Sequence, residues 1–193
     1  MSNALLPRIG RGLLGGVAAT FAMSCAMYAA RRGGLLGEPP PRKITRALLH
    51  RVGVHPSRDD LNIASAAMHL GFGAGVGALY GVLQRRPVAP TAAAGLGVMY
   101  GGLVWATSYA GWVPSFDIMA RPSRDRPGRP TAMVAAHIVY GTVLAEVVNA
   151  LLRRREAAGG WRASGRVVVA ALPAMRSAAG DLHDVHAPVD AGA

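Results

Sequence analysis

The sequence predicts an all-α integral membrane protein, with four transmembrane helices in a bundle rich in small residues. Three observations carry that prediction. Four stretches, 12–30, 61–83, 91–113 and 131–152, hold almost no charged side chains, and arginine-rich breaks separate them. A helix rises about 1.5 Å per residue, so roughly twenty apolar residues cross a hydrocarbon core of about 30 Å. Small residues recur at four-residue spacing in three of the stretches, which is how helix backbones approach closely where lipid gives no hydrophobic drive.

The first span carries an alanine ridge, Ala18, Ala22, Ala26 and Ala30, and ends at Arg31-Arg32-Gly33-Gly34. Arg8, Arg11, Ser24 and Cys25 have the order of a lipoprotein-type signal. Ala22 stands where such signals carry a large aliphatic residue, and the apolar run continues through Ala30, so the span reads as a retained helix. The following break opens with Glu38-Pro39-Pro40-Pro41, which reads as non-helical. A short amphipathic helix is predicted over 43–53. Ile44, Leu48, Leu49 and Val52 share one face, with Lys43, Arg46, His50 and Arg51 mostly away from it. It reads either as a helix in the headgroup plane or as a solvated loop helix.

Ser57 and Asp60 have capping-box spacing before the second span. That span holds overlapping small-residue pairs: Gly71 with Gly75, Gly73 with Gly77, and Gly77 with Gly81. Arg85-Arg86-Pro87 ends it. Pro90-Thr91 and Pro130-Thr131 open the third and fourth spans, with threonine as the expected N-cap. The third span carries Gly97 and Gly101, and places Tyr109 and Trp112 near its end as an interfacial belt. Arg153-Arg154-Arg155 closes the fourth. Residues 1–155 thus form the membrane domain and 156–193 a mobile tail, in which 167–172 is too short to cross a membrane.

The second span reads His69-Leu70-Gly71-Phe72-Gly73 and the fourth His137-Ile138-Val139-Tyr140-Gly141. In both, an aromatic residue follows histidine at +3 and glycine at +4. Two readings stand: two repeated helical hairpins, parallel about an axis along the membrane normal, or chance likeness between alanine- and glycine-rich helices. Basic residues divide almost evenly between the two sides, so the positive-inside rule does not orient the chain.

The net charge of +11 sits in the breaks. Anionic lipid headgroups are therefore the expected partner rather than nucleic acid, for which no basic run interleaved with aromatics is present. The single cysteine, Cys25, excludes an intramolecular disulfide and a multi-cysteine metal site. There is no glycine-rich phosphate loop, no paired catalytic carboxylates and no helical metalloprotease motif. Ser24 and Cys25 have no base on their helix. No cofactor is expected.

Titratable groups inside spans are the functional suspects: His69, His137 and Glu146, with Asn149 on the Glu146 face. Spans two and four run in one direction, so the histidines lie about 12 Å and 9 Å from the same membrane face. Three readings stand: each histidine donates to a neighbouring carbonyl, the pair relays protons, or it ligates a haem or metal. Glu146 is half a helical turn out of phase with His137, so the two cannot meet on one helix. Asp181-Leu182-His183-Asp184-Val185-His186 has the composition of a metal-binding run.

Glu38-Pro39-Pro40-Pro41-Arg42, Met68-His69 with Phe72 and Tyr80, and Ala136-His137-Ile138-Val139 with Glu146 and the closing arginines resemble the YagU-like family of bacterial inner-membrane proteins. The resemblance covers 12–155, with shorter loops and a longer tail here. It implies a helical bundle in the plasma membrane and no reaction. The sequence thus reads first as a structural or accessory membrane protein, within a larger complex or a homo-oligomer. Proton or small-solute handling, and a haem-binding or enzymatic role, are the alternatives.

Overall fold

Helix-start chemistry sets the element boundaries in the computed structural model, which describes the backbone of residues 5–184 and the side chains of residues 5–158. The Ser57 hydroxyl accepts the Asp60 N–H and starts α3, Arg58–Leu83, as its capping spacing predicts. The helix before it, α2, starts at Pro40 and runs to Arg51. The proline run was expected to stay out of helix, yet Pro40 and Pro41 form the first turn. N–H groups there have no intrahelical partner to lose, and the fixed φ suits the helix. The same rule moves two later starts. The helix α4, Pro90–Thr107, has Ala89 at its N-cap, and α6 begins at Arg129 and runs to Asp184. Thr91 and Thr131 therefore lie inside first turns and cap nothing.

The N-terminal helix α1 spans Leu5–Arg32. After α4, a π-helical turn, Ser108–Trp112, leads into the short α5, Val113–Ser115. Among the described residues every regular element is helical. Three helical segments, Leu5–Arg32, Arg58–Leu83 and Arg129–Ala158, are long and apolar enough to cross a membrane. α4 itself has 18 residues and is not among these three. The chain divides into two units, Met1–Leu152 and Arg153–Ala193. The first holds everything that follows. The second is the remainder of α6 to Asp184, through the stretch expected to be a mobile tail. The side chains of the Asp181-to-His186 run lie outside the described residues.

Glycine-on-glycine contact joins the helices in pairs. α1 and α3 are antiparallel: a Cβ on Gly77 would stand 2.5 Å from the Gly12 carbonyl oxygen, and Gly16 faces the Gly73 carbonyl. α4 and α6 are also antiparallel, since a Cβ on Gly97 would stand 2.6 Å from the Gly141 carbonyl oxygen and Gly101 faces His137. The expected ridges Gly73–Gly77–Gly81 and Gly97–Gly101 are therefore seams. Gly71 and Gly75 face open space. The alanine ridge is displaced too. The buried face of α1 runs through Gly12, Gly15, Gly16, Ala19, Thr20, Met23 and Met27. Ala18, Ala22, Ala26 and Ala30 are half-buried at its margin.

α3 and α6 lie side by side and parallel. The Tyr140 hydroxyl donates to the Gly73 carbonyl at 2.6 Å, and Gln84 Nε2 donates to Asn149 Oδ1 at 3.3 Å. Leu144 and Val148 of α6 are fully buried, with Gly15 of α1 against them. Asn149 also accepts the Val88 N–H at 2.9 Å and donates to the Val88 carbonyl at 3.1 Å, fastening the α3–α4 connection. At the opposite end, Arg126 donates to the Gly34 carbonyl at 3.3 Å and Arg51 donates to the Phe116 carbonyl. Leu35 packs over Gly128, whose φ of +84° favours glycine.

α2 packs against α3 and faces inward. Ile44 packs on the core and Thr45 is buried, while Val52, at the helix end, is 73 % exposed. The apolar face read as a headgroup-plane surface is thus largely used by the bundle itself. Large apolar side chains point outward instead on the long helices, among them Phe21, Leu79, Met99 and Leu103.

Candidate functional site: a two-histidine cavity

Below α2 the bundle opens into a cavity of about 250 Å³. Its walls come from α1 (Thr20, Met23, Met27), α2 (Ile44, Thr45, Leu48), α3 (Met68, His69, Phe72), the π-helical turn and α6 (Met133, His137, Tyr140). His69 and His137, predicted at matched depth, therefore share one cavity. Side-by-side parallel packing of α3 and α6 is what brings them there.

His137 is 6 % exposed, and its Nδ1 lies 2.7 Å from the Met133 carbonyl oxygen. A carbonyl only accepts, so Nδ1 carries the proton. In the neutral ring Nε2 then keeps its lone pair. His69 is half-buried and stands in two walls at once. Beyond it lies a second cleft of about 400 Å³, lined by Arg31 from the end of α1, Arg42 of α2 and Arg58 at the start of α3. The cavity and the cleft share Met27, Pro41 and His69.

Three other polar groups on the cavity are held by backbone carbonyls. Thr20 Oγ1 donates to the Gly16 carbonyl at 2.7 Å, and the Tyr140 hydroxyl is held by Gly73. Ser108 Oγ donates to the Val104 carbonyl at 2.5 Å. What remains is a mostly apolar chamber with two imidazoles, the Thr45 hydroxyl and the Trp112 indole on its walls, the usual mix of a small-molecule site.

The π-helical turn places Ser108, Tyr109 and Trp112 on the chamber. Its causes are local. Ser108 and Thr107 bond back to carbonyls of the preceding turn, and Pro114 has no N–H to continue the α ladder. The Val113 N–H reaches back to the Ser108 carbonyl, a five-residue step. Tyr109 then donates to Asp125, whose other oxygen accepts Arg129 Nη1 at 2.9 Å. The Asp125 and Arg129 side chains are only 5 % and 8 % exposed. This network ties the cavity wall to the start of α6. The sequence reading missed it, although Pro114 after an aromatic run and the four-residue spacing of Asp125 and Arg129 were visible signals.

Glu146 and Asn149 are not part of the cavity. Glu146 is half-buried further along α6, and Asn149 is spent on Val88 and Gln84. Among the described residues no three His, Cys, Asp or Glu side chains come together to hold a metal ion. Outside the spans, Glu38 accepts two hydrogen bonds from Arg46, and these hold its carboxyl below the ordinary value.

No family model, curated protein or solved structure matches the chain.

Proposed function

We propose that this is a four-span plasma-membrane protein whose central chamber binds a small apolar solute, with His69 and His137 as its polar contacts. One observation carries the reading: two histidines on different helices open on a single apolar chamber. An accessory role without a ligand, the first expectation from sequence, draws no specific support from this geometry. A buried imidazole with a free Nε2 lone pair can accept a hydrogen bond or a proton from a solute, so proton-linked handling belongs to the same reading.

Four spans are supported by the helical run from Pro90 to Ser115, which carries no charge, and by the outward Leu96, Val98, Met99 and Leu103 of α4. An apolar surface of that kind suits lipid better than water. The His-x-x-aromatic-Gly stretch lies at a glycine-on-glycine crossing in both α3 and α6, which supports the two-hairpin reading. The resemblance to the YagU-like family supports the plasma membrane as location. The lipid bilayer, through its anionic headgroups, is the expected partner of the exposed arginines.

The test is equilibrium binding of an apolar fluorophore to the detergent-purified chain. Saturable binding is expected, with loss in Val104→Phe, which adds bulk at the cavity wall. Circular dichroism establishes that this variant keeps its helices. Unchanged binding in a folded Val104→Phe protein would exclude the chamber as the site.

A further inference from the structure

The apolar chamber and the arginine-lined cleft are adjacent spaces with a common wall. Met27, Pro41 and His69 line both. The inner space is walled by methionine, leucine and aromatic side chains, and the outer one presents Arg31, Arg42 and Arg58. Arg42 is 3.7 Å from Glu38, which Arg46 also engages. Among the described residues Arg31 and Arg58 have no carboxylate partner. Asp59 and Asp60 follow Arg58, but Asp60 accepts the Ser57 hydroxyl at 2.7 Å. The outer cleft therefore carries cationic groups that no described carboxylate neutralises, beside a space that favours hydrocarbon.

From this juxtaposition we infer that the ligand is an anionic single-chain amphiphile, its alkyl chain in the chamber and its phosphate or carboxylate head on Arg31 and Arg58. The inference rests on the solute-binding reading and names its ligand class. Sizes agree with it. An apolar cavity of about 150 Å³ already takes benzene and stays dry, so the larger chamber accepts a length of alkyl chain. A guanidinium presents paired donors matched to a carboxylate or phosphate, and such charge-assisted bonds are roughly twice as strong as neutral ones. His69, at the common wall, stands where head and chain join. Pro40 and Pro41 stiffen the start of α2 beside it.

The experiment uses the full chain in a neutral detergent and three probes: an alkyl phosphate brominated along its chain, a neutral alkyl glycoside brominated in the same way, and inorganic phosphate. Bromine quenches tryptophan on contact, and Trp112 lines the chamber. The alkyl phosphate is expected to quench saturably in the wild type and to lose that quenching in Trp112→Phe. The double variant Arg31→Gln, Arg58→Gln should weaken it by about tenfold or more. Arg31 and Arg58 are exposed, so the double variant is expected to fold; its melting point checks that. Equal quenching by phosphate and glycoside probes, unmoved by the arginine changes, would overturn the anionic head and leave solute binding standing. Inorganic phosphate displacing the alkyl phosphate at equal concentration would show head recognition alone and overturn the amphiphile. Quenching that survives in Trp112→Phe would put the chain elsewhere. Absence of saturable quenching by either brominated probe would overturn this inference; the solute-binding reading falls with it only if the apolar fluorophore also fails to bind.

Discussion

The Tyr140 hydroxyl donates to the Gly73 carbonyl across 2.6 Å and joins two parallel helices at the level of the cavity. Gly73 O already serves its own helix, so the tyrosine supplies a second bond to that carbonyl. Removing it with Tyr140→Phe leaves no buried donor unpaired. Interhelical hydrogen bonds in membranes average about 0.6 kcal/mol and reach about 1.7. Tyr140→Phe should therefore lower stability by roughly that amount, read from reversible unfolding in mixed micelles. A loss of several kcal/mol would mean that the ring, not the bond, had moved.

Gly75 and Gly77 make a paired test of the α1–α3 seam. A methyl on Gly77 would stand 2.5 Å from the Gly12 carbonyl oxygen, with backbone on both sides. Gly77→Ala should cost roughly 1–3 kcal/mol, as overpacking does. A methyl on Gly75 meets nothing within 4 Å. Gly75→Ala should be neutral or should raise stability by up to about 1 kcal/mol, because alanine loses less backbone entropy. Melting temperatures that move in the same direction for both variants would contradict the seam.

The Glu38–Arg46 pair sets a pH dependence for the docking of α2. Its hydrogen bonds to Arg46 lower the Glu38 pKa in the folded chain below the ordinary 4.5. A depressed carboxyl contributes stability that is present above its unfolded value and is lost as pH falls through the folded value. Both side chains are partly exposed, so the contribution is small. Thermal melts from neutral pH down through about pH 3 should show a shallower acid decline in Glu38→Gln than in the wild type. Parallel curves would remove Glu38 from the acid response.

Reporter fusions decide whether α4 crosses the membrane. Fusions after Arg86 and Arg121 bracket it. They should report opposite sides, and fusions after Arg31 and Arg86 should also differ. Arg86 and Arg121 on one side would leave three crossings.

Sequence reading succeeded where a property lies along one chain segment. Uncharged length located the helices, and the spacing of Gly73, Gly77, Gly97 and Gly101 marked seams because four-residue spacing is a single-helix property. It failed where the answer depends on a neighbour. Ala18–Ala22–Ala26 and Gly12–Gly16–Thr20 have identical spacing on adjacent faces of α1, and only the position of α3 selects between them. α2 is amphipathic whether it faces lipid or protein. Asn149 shares a face with Glu146, yet its partners Gln84 and Val88 come from another part of the chain. Of the site, the two histidines were legible because a common motif placed them at one depth. The Tyr109–Asp125–Arg129 network was legible only in part: the four-residue spacing of Asp125 and Arg129 is local, but Tyr109 reaches the pair from another segment, and that contact depends on the packing.

The parallel pairing of α3 and α6 also governs when the chamber comes into being. The α1–α3 seam needs only the chain up to Gly81, so it can zip as soon as the first hairpin leaves the ribosome. The wall that carries His137 and Tyr140 belongs to the last helix made. Until that helix arrives, the half-built chamber lacks the wall that carries His137 and Tyr140. Its completion therefore waits on α6, since no earlier helix supplies that side of the chamber.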